Sequence, residues 1–282
     1  MQNKLKRKWL IFTSAGDNSN IQQWLGAERK YDVFVVYYGP TEFLLKNDCE
    51  VYKVRKGGKY QNLHYFYNEA RDYFNQYEAI LVMDDDIEIP TANINALFHL
   101  RENRKFDLLQ SAFDRRGKIS HKITEFNPLA SIRITNFIEV TCPVFSQRAL
   151  VAFLNEYDPT VNATGVDWWF CSIVERNFGL DSIAISDDIT CLNPHDLDKN
   201  PIGNREIDRL LSREQRNQSW IEVKKKHNLE LNEGEYVLYH SEYRPTLKKI
   251  SYWVFTKIAN VLLRIQRKLN RKNLFRIINP IK

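Results

Sequence analysis

A continuous apolar run, Ala79-Ile80-Leu81-Val82-Met83, ends directly in Asp84-Asp85-Asp86. The run is too short for a helix and does not alternate, which predicts a central strand covered on both faces. The acids behind it constrain the rest of the chain. Adjacent unit charges about 4–6 Å apart repel by roughly 1 kcal/mol per pair even in water, and by more where water is excluded. A cationic partner therefore belongs there. In open α/β sheets ligands bind beyond the carboxyl ends of the strands, so the triplet stands where a divalent metal and a phosphorylated ligand would meet. The plainer reading is an acidic turn after a strand.

Strand and helix patterns alternate around this element. Trp9–Phe12 reads as a first strand leading into a ligand-facing loop, Thr13-Ser14-Ala15-Gly16-Asp17, and then a short helix over Ile21–Leu25. Tyr31–Tyr38 is a second β-rich run closed by Gly39-Pro40, and Val51–Val54 a third. Gln61–Phe74 is helical, as is Asn93–Arg101; Leu108–Phe113 is another strand, and residues 117–137 form loops with a small antiparallel part. Ile138–Phe145 predicts a strand running into a helix over Ser146–Tyr157, with Ser146 as its N-cap. Ile183–Ile185 and Ile189–Leu192 are further short apolar runs. This order predicts an α/β fold, a mostly parallel sheet with helices on both faces, of the class that binds nucleotides.

Thr164-Gly165-Val166-Asp167-Trp168-Trp169 opens a helix that runs to Arg176. An aspartate in the first turn of a helix, beside a permissive glycine and two tryptophans, either presents a carboxylate into a cleft or only caps the helix. The four cysteines, Cys49, Cys142, Cys171 and Cys191, have no paired spacing, which argues against a zinc site or a disulfide framework. They read as reduced thiols of a cytoplasmic protein.

Charge divides the chain. Ten Lys and Arg and no Asp or Glu lie between Pro245 and Lys282, so the formal +6 of the whole leaves −4 for residues 1–244. We expect a domain over residues 1–244 and a basic tail over 245–282. In the tail, Ile250, Val254, Ile258, Val261, Ile265 and Leu269 recur at the spacing of one helical face, with Lys257, Arg264, Arg267, Lys268 and Arg271 largely off it. Lys257 interrupts the longest apolar run, which excludes a bilayer span. A basic amphipathic C-terminal helix of this kind fits lying on an anionic membrane surface, peripheral to its inner face. Packing on the core or on a second subunit is the alternative. Nucleic acid is not expected, since the acidic body offers no further basic surface and no binding motif.

Four stretches occur in an order that carries a resemblance: Lys59–Tyr67, Ile80–Ile89 with its three aspartates, Ile132–Ala149, and Gly165-Val166-Asp167-Trp168. Over roughly residues 8–200 the chain resembles GT-A-like glycosyltransferases, and more narrowly a little-characterised bacterial and plant family with that core. The resemblance implies a Rossmann-like domain holding a nucleotide sugar, a UDP-sugar foremost, with Asp84 and Asp86 as the Asp-x-Asp pair. It implies that Asp86 ligates Mn²⁺ or Mg²⁺, while Asp84 and Asp85 lie against the ribose or sugar. A histidine late in the core commonly completes such a metal site. Here Thr190-Cys191-Leu192-Asn193-Pro194 departs from the relatives' Val-x-His-x-x-Pro, and His195 is the nearest imidazole. Either His195 takes the ligand role from a shifted position, or Asp86, diphosphate oxygens and water hold the metal.

Glycosyl transfer needs charge neutralisation on the leaving diphosphate, a base for the acceptor hydroxyl and a site that keeps water out. Asp167 is the candidate base, which implies inversion at the anomeric carbon. Ser14, Ala15, Gly16, Asp17 and Tyr38 are candidates for the base and ribose, and Lys59 for the diphosphate or for closing the site. Trp168 and Trp169 offer flat faces suited to sugar rings or to the core. The acceptor implied is a glycan or a lipid-linked glycan of surface polysaccharide synthesis. A dehalogenase-type phosphatase would also use Asp84 and Asp86, but Glu88 stands where it needs Thr or Val. A non-enzymatic alternative is a sugar-binding or scaffold protein that kept the fold and lost the chemistry.

Overall fold

The computed structural model describes residues 7–195, 210–231, 233–238 and 241–245, together with Val254, Lys257, Ile258 and Val261. Strands β1 (Trp9–Ala15), β2 (Tyr31–Tyr37), β3 (Val51–Val54), β4 (Ala79–Val82), β5 (Leu108–Phe113), β6 (Ala130–Ile134), β7 (Val144–Ser146), β8 (Ile183–Cys191) and β9 (Glu242–Tyr243) form one sheet. Its order is β3-β2-β1-β4-β7-β5-β8-β6-β9. Only β7 and β6 run against the rest, so the sheet is mostly parallel with an antiparallel far side.

Among the described residues the helices include α1 (Lys59–Glu69), α2 (Arg71–Asn75), α3 (Thr91–Arg104), α4 (Gln147–Glu156), α5 (Val166–Phe178) and α6 (Arg213–Lys226). Every residue of β1 and β4 is buried, as the unbroken apolar run requires. Alternate side chains serve two cores. Leu10, Phe12, Ile80 and Val82 join the core under α1, α2, α4 and α5, and Trp9, Ile11, Ala79 and Leu81 join the one under α3. On that second face the Trp9 and Phe98 rings stack with centroids 5.0 Å apart. Because a pleated strand sends neighbours to opposite faces, both had to be apolar.

Several elements differ from the sequence expectation for local reasons. Ile21–Trp24 is a single 3-10 turn, too short to continue as an α-helix. The predicted helix over Gln61–Phe74 breaks at Ala70, whose φ of −143° is not helical. After that break Phe74 packs on Phe12 and Phe34. Of the predicted strand Ile138–Phe145 only Val144 and Phe145 join the ladder, together with Ser146. Pro143 has no N–H to donate, so before Val144 only carbonyls reach β4: Pro143 and Thr141 accept from the Val82 and Asp84 amides, each at 2.9 Å. Ser146 does cap α4, accepting from the Ala149 amide at 3.1 Å. The two runs after residue 182 form one strand, β8, with a register shift where Ser111 is followed by Ala112.

Past α6, residues 233–238 and 241–245 lie beside β6, and β9 pairs with it. Arg244, 6% exposed, donates to the Pro128 carbonyl at 3.0 Å and to Asp188 Oδ1 at 2.6 Å. Val254, Lys257, Ile258 and Val261 are helical and exposed, and the rest of the predicted amphipathic helix lies outside the described residues. Among the described residues no helix is long and apolar enough to cross a membrane.

Candidate functional site

Pairing of Phe12 with Val82 brings the carboxyl ends of β1 and β4 to one rim, so the loops after them meet. Asp85 Oδ2 accepts from the Gly16 amide at 2.8 Å and from the Tyr38 hydroxyl at 3.3 Å. Asn20 closes the loop from the other side. Its amide donates to the Asp85 carbonyl and its Nδ2 to the Asp86 carbonyl, both at 2.6 Å. Burial, then the charge of Asp86, pushes the Asp85 carboxyl up to about 7. Gly16 is needed for close approach: a Cβ there would lie 2.8 Å from Cε2 of Tyr38.

Asp84 is engaged differently. Its Oδ1 pairs with Lys59 Nζ at 2.8 Å, and the ammonium also donates to the Val140 and Thr141 carbonyls at 2.8 and 3.0 Å. The Lys59 side chain is only 9% exposed. Lys59 therefore enters the site as the neutralising partner of Asp84, a role the sequence reading did not give it. Asp17 is exposed and accepts from Tyr37 and from Thr41, the latter at 2.5 Å. The Thr41 bond, then the Tyr37 bond, holds its carboxyl below the usual range. Ser14 Oγ accepts from Asn62 Nδ2 at 2.9 Å, which ties β1 to α1, while Ala15 is wholly buried and offers its carbonyl to the Tyr38 amide.

Asp167 sits in the first turn of α5, 7% exposed, its Oδ1 accepting from the Trp168 amide at 3.0 Å. The preceding Gly165 has φ +80°, and a Cβ there would lie 2.1 Å from the Trp220 ring. Glycine is thus required twice at the point that aims Asp167. Burial pushes the Asp167 carboxyl up to about 6; His121 and the Trp168 amide oppose that shift and Glu139 adds to it. The acidic rim and Asp167 both act on Tyr60 in the interior. Burial first, then the Asp84 and Asp167 carboxylates, push the Tyr60 phenol well up. The Thr141 carbonyl accepts from the Asp84 amide at 2.9 Å, and its hydroxyl donates to Glu139 at 3.2 Å.

Glu139, 2% exposed, is the functional candidate that sequence reasoning missed. It accepts from Thr124 Oγ1 at 2.8 Å and from the His121 amide at 3.2 Å. The available signal was an acid between Ile138 and Val140, since an acid inside an apolar run is costly to bury unless bonded. Asn20 and Asn62 carried no comparable signal. Trp169 is core at 1% exposure, whereas Trp168 is half-buried. Arg133 and Arg148 make structural pairs with Asp187 and Asp107. A cavity of about 330 Å³ beside α1, lined by Arg55, Lys56, Gln61 and His64 among others, includes none of these carboxylates.

The metal expectation meets a restricted donor set. Leu192 and Glu88 exchange backbone bonds at 2.9 Å in an antiparallel bridge, the Asn193 carbonyl accepts from the Lys118 amide at 2.7 Å, and His195 beyond them is exposed. Among the described residues no group of three or more His, Cys, Asp or Glu side chains is arranged to hold a metal ion. Carboxylate oxygens such as those of Asp85 and Asp86 are hard donors of the kind that Mg²⁺ or Mn²⁺ takes together with phosphate oxygens and water.

With this geometry in view, the chain resembles S. aureus TarS. The TarS fragment 1-349 matches with a TM-score of 0.50 at 14% identity, covering 78% of this chain and 71% of that one. The same fragment in complex with UDP matches at TM-score 0.49 and 12% identity, and a mycobacterial protein at 0.45 and 14%, covering 73% of this chain and 74% of that one. No protein-family model and no curated protein sequence matches the chain. The likeness to TarS is one of fold, and it agrees with the α/β architecture expected from the sequence.

Proposed function

We propose that this chain is a glycosyltransferase that moves a sugar from a nucleoside diphosphate, UDP foremost, to a glycan or lipid-linked acceptor in surface polysaccharide synthesis. The observation that carries the reading is one arrangement: a partly buried acidic rim beside a backbone amide, joined through Thr141 to Glu139, whose charge adds to burial in raising the buried Asp167 to about 6. Two carboxylates crowded at a strand end favour a dication with a diphosphate, and an acid tuned toward neutrality suits proton abstraction. Asp85 and Asp86 would hold Mn²⁺ or Mg²⁺, which when bound supplies charge neutralisation for the diphosphate. Gly16 and Tyr38 would border the nucleotide, with Ser14 and Asp17 shaping the loop.

Asp167 then takes the acceptor proton. The acceptor oxygen forms its bond to the anomeric carbon, and the bond from that carbon to the diphosphate oxygen breaks, releasing the nucleoside diphosphate with the electron pair. Attack opposite the leaving group inverts the configuration. Lys59 keeps Asp84 neutralised and in place. The basic tail would hold the enzyme at an anionic membrane surface.

Isothermal titration of UDP with and without Mn²⁺ tests the reading. Mn²⁺ should tighten UDP at least tenfold, about 1.4 kcal/mol, and Asp86→Ala should remove that gain without removing the fold. Equal UDP affinity with and without the metal would refute the metal-assisted donor site. UDP binding with no turnover of any UDP-sugar would instead favour the sugar-binding alternative.

A further inference from the structure

The loop ahead of β6 and the return segment after α6 meet beside the start of α5. His121 Nδ1 lies 2.5 Å from Glu235 Oε1, and the two side chains keep 28% and 25% of their surface. With Nδ1 held on the carboxylate, the second ring nitrogen, Nε2, remains to meet a hydroxyl. Fully buried Phe137 packs on the His121 ring at 4.5 Å and on the Trp168 ring at 4.3 Å. Trp168 stands edge-on to His121 at 6.4 Å. Asp167 is its chain neighbour.

Glu235 is not required to anchor its own segment. Asn136 already binds it twice, donating to the Gly234 carbonyl at 2.7 Å and accepting from the Tyr236 amide at 3.0 Å, and Thr135 donates to the Tyr236 carbonyl. The partly exposed carboxylate and imidazole are thus held ready on a fixed support. Behind them Gln110 gives its Oε1 to the Glu139 amide at 2.7 Å and keeps a buried Nε2 with no partner among the described residues. Such donors are normally satisfied.

We propose that His121, Glu235 and Trp168 form an acceptor subsite for a pyranose ring, completed by the C-terminal return segment. This rests on the transferase reading above. A pyranose has an apolar C–H face and a rim of hydroxyls. The half-buried indole takes the face, and Glu235 and His121 Nε2 meet hydroxyls beside Asp167. Specificity for the acceptor then resides partly in residues more than a hundred positions apart in the chain.

Saturation-transfer NMR on the full chain, with a panel of methyl pyranosides and no metal, tests the subsite. At least one glycoside should bind, and Trp168→Ala and His121→Ala should each weaken it about tenfold or more. Glu235→Gln guards against misfolding, because its amide oxygen still accepts from Nδ1 and keeps the support. Its thermal midpoint should hold while glycoside binding falls. No glycoside signal from the wild-type chain, or equal signals from all variants, would overturn the proposal. UDP titration with Mn²⁺ on the same samples keeps the two readings apart: loss of the metal effect with glycoside binding intact sinks only the donor site.

Discussion

Replacing Asp167 by Asn separates the cost of a buried acid from the use made of it. The carboxyl is 7% exposed and is pushed from 3.8 up to about 6, chiefly by burial. In the unfolded chain the same group ionises near 3.8. Between about pH 4 and pH 6 the folded protein therefore binds more protons than the unfolded one, and stability falls as pH rises. Two pKa units at ~1.36 kcal/mol each amount to about 3 kcal/mol above pH 6. Asparagine does not ionise and keeps an oxygen for the Trp168 amide. Relative to wild type, Asp167→Asn should gain about 3 kcal/mol between pH 4 and pH 7.5, or roughly 6–10 °C in thermal midpoint. Urea unfolding of both proteins at about pH 4, 5, 6 and 7.5 measures this directly. Sugar transfer should be lost in the same variant, as expected when an active site retains an unfavourable group for its chemistry. A stability difference that stays flat across this range, or that turns against Asn above pH 6, would refute the burial argument.

Other substitutions probe the frame around the site. Gly16→Ala places a methyl 2.8 Å from the Tyr38 ring; the ring must swing and give up its bond to Asp85, and UDP affinity measured by titration should fall about tenfold with the fold retained. Arg133→Met leaves Asp187, with 0% of its side chain exposed, without its bidentate partner, and denaturant unfolding should show a loss of ~3–5 kcal/mol. Under native conditions iodoacetamide should modify Cys49, the partly buried thiol, slowly and leave Cys142, Cys171 and Cys191 untouched; burial pushes the Cys49 thiol up to about 11. Intact mass should show one adduct before unfolding and four after it.

Sequence alone determined the elements whose cause is local. The apolar run before Asp84 is buried on both faces, Ser146 caps α4, and Gly165 opens α5 immediately before Asp167. These follow from period, cap chemistry and backbone freedom, which act over a few residues. Partnership across the fold was not legible. Nothing in Lys59 said that it would be spent on Asp84, and nothing in the spacing of Cys142 and Cys191 said that their sulfurs would lie 3.9 Å apart. Glu139 gave a faint local sign, but His121 and Glu235 gave none, because their meaning comes from a return segment laid across the loop before β6. Charge neutralisation and hydrogen bonding depend on distance in space, and only the strand order and register set that distance.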